Sequence, residues 1–143
     1  MATFPPIPKH LRLEFVTPEK AIVHDDVDEV EVPGEGGYFG VLPGHAPTLA
    51  AMKPGELWYR RGNEKFYAYV VRGFAEVLPD RVAILAQVAE RAEDIDVQRA
   101  EAAKRRAEDR LARAATDMDA ERARIALIRS LGRLNVSQRA RRH

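Results

Sequence analysis

With 143 residues, 45% of them hydrophobic, the chain has apolar material for one domain, or for a small domain with an appendage, and is not a disordered segment. It has no cysteine, which excludes a disulfide framework, thiolate metal ligation and a thiol nucleophile, and no apolar run approaches the length of a membrane span. The net charge of +1 conceals a division near residue 89: residues 1–89 carry nine Lys/Arg against twelve Asp/Glu, residues 90–143 carry fourteen against ten, and all nine Pro and eight of the nine Gly fall in the first part.

The chain opens on "MATFPPIPKH", which lacks the charged head and apolar core of a signal peptide, so a soluble, intracellular protein is expected. Alternation with period two then dominates to about residue 89. "LRLEFV" puts Leu11, Leu13 and Phe15 on one face and Arg12 and Glu14 on the other; "DEVEV" turns Val30 and Val32 inward and Glu29 and Glu31 outward. "ELWYRRGNEKFYAYVV" reads as a hairpin about "RGNE", with Gly62 and Asn63 supplying the positive φ of a tight turn. "GFAEVLPDRVAILAQV" repeats the device around Leu78, Pro79 and Asp80. Short strands at regular spacing with Gly/Pro turns predict an antiparallel β-sandwich or barrel.

One stretch of this part is not ordinary strand. "PGEGGYFGVLPGHAP" has glycines at 34, 36, 37, 40 and 44; its leading run fails G-x-G-x-x-G because position 39 is Phe, and no Lys-Ser or Lys-Thr follows to make a P-loop. His45 has no Ser, Asp or Cys that the sequence places beside it, so it reads as a structural turn histidine or a contact residue and not as a catalyst. The loop is either scaffolding or a surface that another molecule reads.

From Glu93 the period changes, and no Gly or Pro occurs until Gly132. Positions 100, 103, 107, 111 and 114 form one helical stripe, mostly Ala; after the break "ATDMDA" a second stripe runs through Ala120, Ala123, Leu127, Leu131 and Leu134, flanked by Ile128. Asp117 is the expected N-cap of this second helix. Two amphipathic helices with a short link predict an antiparallel two-helix hairpin. Its Ala-rich seam buries little area: each methylene forgone costs about 0.8 kcal/mol, so the hairpin is either a small appendage or a movable element.

In an antiparallel hairpin the start of the first helix lies beside the end of the second. Asp96, Arg99, Arg129 and Arg133 then converge at the open end, with Arg106 two turns along. Arginine forks near a carboxylate suit a phosphorylated ligand; the competing reading is that Asp96 favours a helix N-terminus and the arginines form a solvated face. Acidic residues interrupt every basic stripe except the tail "RARRH", which argues against nucleic acid. No nucleophile–base pair, metal cluster or phosphate loop can be assembled, so no catalytic residue and no metal site are expected.

The order of β-sandwich and helical hairpin, with "LEFVTPEKAIV" near the start, "GYFGVLPGHAP", the downstream "KPGEL" and "IDVQRAEAAKRRAEDRL" opening the hairpin, closely resembles the epsilon-subunit family of bacterial F-type ATP synthase over nearly the whole chain. The resemblance implies a ten-stranded N-terminal sandwich, residues 1–89, clamped to the gamma subunit and to the polar loops of the c-ring. It implies a mobile C-terminal hairpin, residues 90–143, that permits ATP hydrolysis when folded and blocks it when extended into the alpha/beta catalytic head. It further implies a subunit that is not an enzyme, requires no cofactor, inserts in no bilayer, and sits peripherally on the cytoplasmic face of the bacterial inner membrane.

The resemblance also assigns residues. His45 matches the family histidine at the gamma interface. Some relatives carry an acidic c-ring contact where this chain has Tyr38, with Glu35 three positions earlier. The family's "I/L-D-x-x-R-A" ATP motif stands complete as Ile95, Asp96, Arg99 and Ala100, with Glu90, Arg106, Arg129 and Arg133 at its supporting positions. ATP is therefore expected as a regulatory ligand of the folded hairpin. Arg139, Arg141 and Arg142 suit an acidic loop of the catalytic subunits in the extended state, against the alternative of a frayed basic terminus. A rival reading of another class is a free-standing ligand-binding β-module whose hairpin drives oligomerisation.

Overall fold

The computed structural model describes residues 5–141. The chain divides into two compact units, Met1–Ala89 and Glu90–His143.

The first unit is a β-sandwich built from β1 (Leu11–Val16), β2 (Ala21–Val27), β3 (Glu29–Gly34), β4 (Gly37–Val41), β5 (Thr48–Met52), β6 (Gly55–Arg61), β7 (Glu64–Leu78) and β8 (Arg81–Arg91), the last two residues of which belong to the second unit. Alternation places the inward side chains as the sequence predicts: Leu11, Leu13, Phe15, Val30 and Val32 are fully buried and join Leu57, Val70, Val77, Val82 and Ile84 in one core. Each such Leu or Phe contributes about 1.5–3 kcal/mol of transfer free energy. The expected hairpin about Gly62 and Asn63 is present: Arg61 pairs with Glu64 and Gly62 takes φ 58°.

Two features depart from expectation. The pairing is antiparallel except between β1 and β8, which run parallel with Leu13 opposite Val82 and Phe15 opposite Ile84. No hairpin turn joins these two strands, so no local signal fixes their relative direction; burial of both apolar faces does. The described residues also form eight strands, not ten, and β7 is one continuous 15-residue strand. Its first half pairs with β6 and its second half with β5. The bend between the halves lies at Arg72 (φ 49°) and Gly73 (φ 144°). A Cβ on Gly73 would sit 1.9 Å from the Leu85 carbonyl oxygen, so only glycine lets β7 and β8 approach this closely. Arg72 occupies the left-handed region at a cost of about 1–2 kcal/mol for an L-residue with a Cβ.

The second unit begins with the end of β8, a single 3-10 turn (Ala92–Asp94), α1 (Val97–Ala112) and α2 (Asp117–Arg141). The two helices pack on each other, and α2 also packs on the 3-10 turn, which gives the predicted hairpin. Asp96 caps α1, its Oδ1 accepting from the Arg99 amide at 3.1 Å. The cap of α2 is Thr116 and not Asp117: Thr116 Oγ1 accepts from the Asp119 amide at 3.1 Å. A capping oxygen must precede the first helical residue to reach the third amide, and Asp117 is already helical, where its charge still complements the helix dipole.

The seam of α2 is also rotated from the predicted stripe. Ala123, Ser130 and Ser137 are 1–4% exposed at seven-residue spacing, whereas Leu131 is 41% and Ile128 58% exposed. On α1 the buried pair Ala100 and Ala107 shows the same spacing. Small residues on both helices let the backbones approach, and the serines are admitted because their hydroxyls donate within the helix, Ser130 to the Ala126 carbonyl and Ser137 to the Leu134 carbonyl. A hydrophobicity pattern that scores serine as polar misses them.

Candidate functional site

In the helical unit, Ile95, Asp96, Arg99 and Ala100 lie at the start of α1, Arg106 past its middle, and Arg129 and Arg133 in the second half of α2. Glu90, on the last turn of strand before the 3-10 turn, accepts from Arg133 Nη2 at 2.8 Å, both side chains being more than two-thirds buried. Ile95 is buried and Ala100 fully so; they form the floor behind the Asp96 cap. Asp96 is exposed, with Oδ1 committed to the Arg99 amide. The competing reading of Asp96 as a helix-capping residue is therefore correct as far as it goes, and leaves Oδ2 available.

Charge at this end is unbalanced. Arg99, Arg106 and Arg129 are exposed, and none of their guanidinium groups forms an ion pair or hydrogen bond among the described residues. Arg133 Nε is buried with no hydrogen-bond acceptor. A buried N–H on a cation without an acceptor costs about 1–3 kcal/mol, and it is the exposed Arg99, Arg106 and Arg129 that an oxygen-rich anion could reach. The direct contact is between Glu90 and Arg133; Arg99, Arg106 and Arg129 are brought to the unit's surface without touching one another's partners.

At the closed end of the hairpin a cleft of about 420 Å³ is lined by Asp109, Arg110, Arg113, Asp119 and Arg122, none of which the sequence motif singles out. Of the tail arginines, Arg139 is exposed near the end of α2; Arg142 and the side chain of Arg141 lie outside the described residues.

In the sandwich, Glu35, Tyr38 and His45 line one cleft of about 550 Å³ together with Phe39 and Ala51. Local sequence builds it. Glu35 and Gly36 form the turn between β3 and β4, where Gly34 pairs with Gly37. Pro43 and Gly44 (φ 87°) occupy the central positions of a type II turn closed by the His45 amide donating to the Leu42 carbonyl at 3.2 Å. His45 Nδ1–H donates to the Ala46 carbonyl at 2.7 Å, and its ring lies 6.4 Å from that of Phe39. Tyr38 is half exposed, its hydroxyl accepts from the Glu56 amide, and Lys53 Nζ stands 5.2 Å from its ring centroid. The loop is thus a hydrogen-bonded edge that presents Tyr38 and Glu35 outward.

Sequence reasoning missed a second cleft that shares Glu35 and Ala51 with the first. It measures about 640 Å³ and is walled by Met52, Phe74, Leu85 and Ala86, with Arg72 and Gln87 at its rim. Phe74 and Leu85 are half exposed and Leu49, on the neighbouring strand, is 72% exposed. The only advance signal was that "VVRGFAEV" and "VAILAQV" are apolar at positions alternation assigns to both faces. Among the described residues, no helix is long and apolar enough to cross a membrane, and no group of three His, Asp or Glu is placed to hold a metal.

Family models match both parts: the ATP synthase delta/epsilon chain beta-sandwich domain over residues 10–92, and the delta/epsilon chain long alpha-helix domain over residues 93–138. The ATP synthase epsilon chain of Syntrophobacter fumaroxidans is 49% identical over 129 residues, which span 90% of this chain and 96% of that one. The ATP synthase epsilon chain of Nitratidesulfovibrio vulgaris is 48% identical over 128 residues, again 90% and 96%. Among solved structures, a chain of the Euglena gracilis mitochondrial ATP synthase aligns over 97% of this chain and 85% of its own with a TM-score of 0.78 and 24% identity, a likeness of fold.

Proposed function

The chain belongs to the delta/epsilon chain family of ATP synthase, and on that premise we propose that it is the epsilon subunit of the central stalk, joining gamma to the c-ring and regulating ATP hydrolysis through its helical hairpin. It is a non-catalytic subunit, held peripherally on the cytoplasmic face of the bacterial inner membrane by its partners. The cleft shared by Glu35, Tyr38 and His45 supports the docking role, since it gathers an acid, an aromatic hydroxyl and a histidine on one edge.

The regulatory ligand is ATP, bound where α1 and α2 pack together. One observation carries this reading: the Arg133 guanidinium is held by Glu90 with its Nε buried and unmet, in the same helical unit as three exposed arginines that lack ion pairs among the described residues. Phosphate oxygens supply the acceptors; Asp96 Oδ2 is free to accept from the base or the ribose. Binding only the packed hairpin shifts its equilibrium by RT ln(1 + [L]/Kd), about 2.7 kcal/mol at a hundredfold excess. That suffices to restrain an Ala-rich arm from extending toward the alpha/beta head, where Arg139, Arg141 and Arg142 would meet acidic surface.

Calorimetric titration of ATP into the isolated chain tests it, alongside Arg99→Ala and Arg133→Ala. Saturable binding that both substitutions weaken at least tenfold is expected. No heat at millimolar ATP would reduce the cluster to helix capping and surface charge.

A further inference from the structure

We propose that Arg72 is a selectivity residue of the sandwich's docking face: it seats a carboxylate of the gamma subunit beside an apolar side chain that enters the cleft walled by Met52, Phe74 and Leu85. The inference rests on the proposed docking of this chain to gamma and adds the chemistry of the segment recognised.

Three observations converge on it. Arg72 holds a left-handed backbone (φ 49°) at the bend of β7, a strained conformation for a residue with a Cβ and one that glycine would adopt without strain. Its side chain is exposed and its guanidinium makes no hydrogen bond or ion pair among the described residues. And it stands at the rim of a cleft of about 640 Å³ whose walls are apolar, with Phe74 54% and Leu85 50% exposed. A cleft of that volume has room for several side chains of a docked segment, a large apolar one among them, and an aromatic–aliphatic pocket with a charged rim is the anatomy of an interface anchor.

Charge fixes the occupant's polarity. The rim carries one cation, Arg72, and one anion, Glu35, and Glu35 is also a wall of the adjoining cleft that holds Tyr38 and His45. The two clefts therefore form one continuous strip. A segment laid along it is complementary when a carboxylate falls at Arg72, an apolar residue follows in the cleft, and a basic residue falls at Glu35. Because Arg72 is a rim charge, it acts mainly on partner choice and on the rate of encounter.

The test measures association of the full chain with the gamma subunit of the same complex, at low and high ionic strength, for Arg72→Gly, Arg72→Glu and Phe74→Glu. Arg72→Gly suits the local φ and preserves the fold, which thermal unfolding checks. Arg72→Gly is expected to weaken binding about tenfold at low salt and much less at high salt, where screening removes the contribution, and Arg72→Glu about a hundredfold at low salt. If Phe74→Glu abolishes binding while Arg72→Gly and Arg72→Glu bind like the parent at both salt concentrations, the role of Arg72 is overturned and the docking face stands. If Phe74→Glu also binds normally, the docking reading of this face falls, and the role of Arg72 with it. Self-association of the chain that Phe74→Glu removes, with gamma binding unaffected, would assign the cleft to a second copy and overturn the proposal.

Discussion

Glu90 and Arg133, 43 residues apart in sequence, meet at 2.8 Å and tie the strand end of the helical unit to the penultimate turns of α2. Both are less than a third exposed, so the pair is worth more than a surface ion pair and its loss leaves a partly buried charge. A double-mutant cycle with Glu90→Gln and Arg133→Met is expected to give a coupling of about 1 kcal/mol, read from denaturant unfolding. Additive single mutants would mean the contact contributes nothing.

Asp96 caps α1, and the proposed ATP site gives it a second, separable role as a ligand contact. Asp96→Asn keeps an N-cap acceptor, so stability should change by only a few tenths of a kcal/mol, whereas Asp96→Ala should cost about 1 kcal/mol. If the proposed ATP site is correct, Asp96→Asn weakens ATP without melting the helix; equal ATP affinity in both would confine Asp96 to capping.

Acid stability should report Asp28. Its carboxylate accepts from the Gly62 amide at 2.7 Å and pairs with His10 Nδ1 at 2.9 Å, joining the entry to β1 with the β6–β7 turn. The Gly62 amide first, and then His10, hold its pKa below the ordinary carboxylate value. A lowered folded-state pKa contributes stability that is present above the unfolded pKa, about 3.9, and lost as pH falls through the lower folded value. Asp28→Asn should therefore flatten the fall in stability below about pH 4; an unchanged acid-unfolding slope would contradict it.

Glycines 62 and 73 both have positive φ but differ in surroundings. Gly62→Ala meets no atom within 4 Å and should cost about 1 kcal/mol, the price of the left-handed turn alone. Gly73→Ala drives a methyl into the Leu85 carbonyl and should cost about 3 kcal/mol or more, or prevent folding. Thermal unfolding of the two variants separates the cases.

On the hairpin seam, Ala123→Leu should destabilise by about 1–3 kcal/mol through overpacking, while Ile128→Ala, at an exposed site, should change stability by less than about 0.5 kcal/mol. The reverse order would restore the stripe read from hydrophobicity.

What the sequence determined by itself was whatever local chemistry encodes. Alternation in "LRLEFV" chose the buried face of β1, Gly62 and Asn63 made a hairpin, Asp96 capped α1, and hairpin register assigned Arg129 and Arg133 to the end where Asp96 lies; Glu90 was marked only through the family resemblance. Tertiary structure alone decided what depends on distant backbone. The parallel pairing of β1 with β8 has no connecting turn to announce it. The bend of β7 makes one strand serve two neighbours, and it is the approach of the Leu85 carbonyl that makes Gly73 obligatory and leaves Arg72 in a left-handed conformation. The serine seam of α2 became admissible only because close-packed alanines on α1 and intrahelical carbonyls leave its hydroxyls satisfied. Periodicity records which face a residue prefers; which other face it meets is set by the closure of the whole fold.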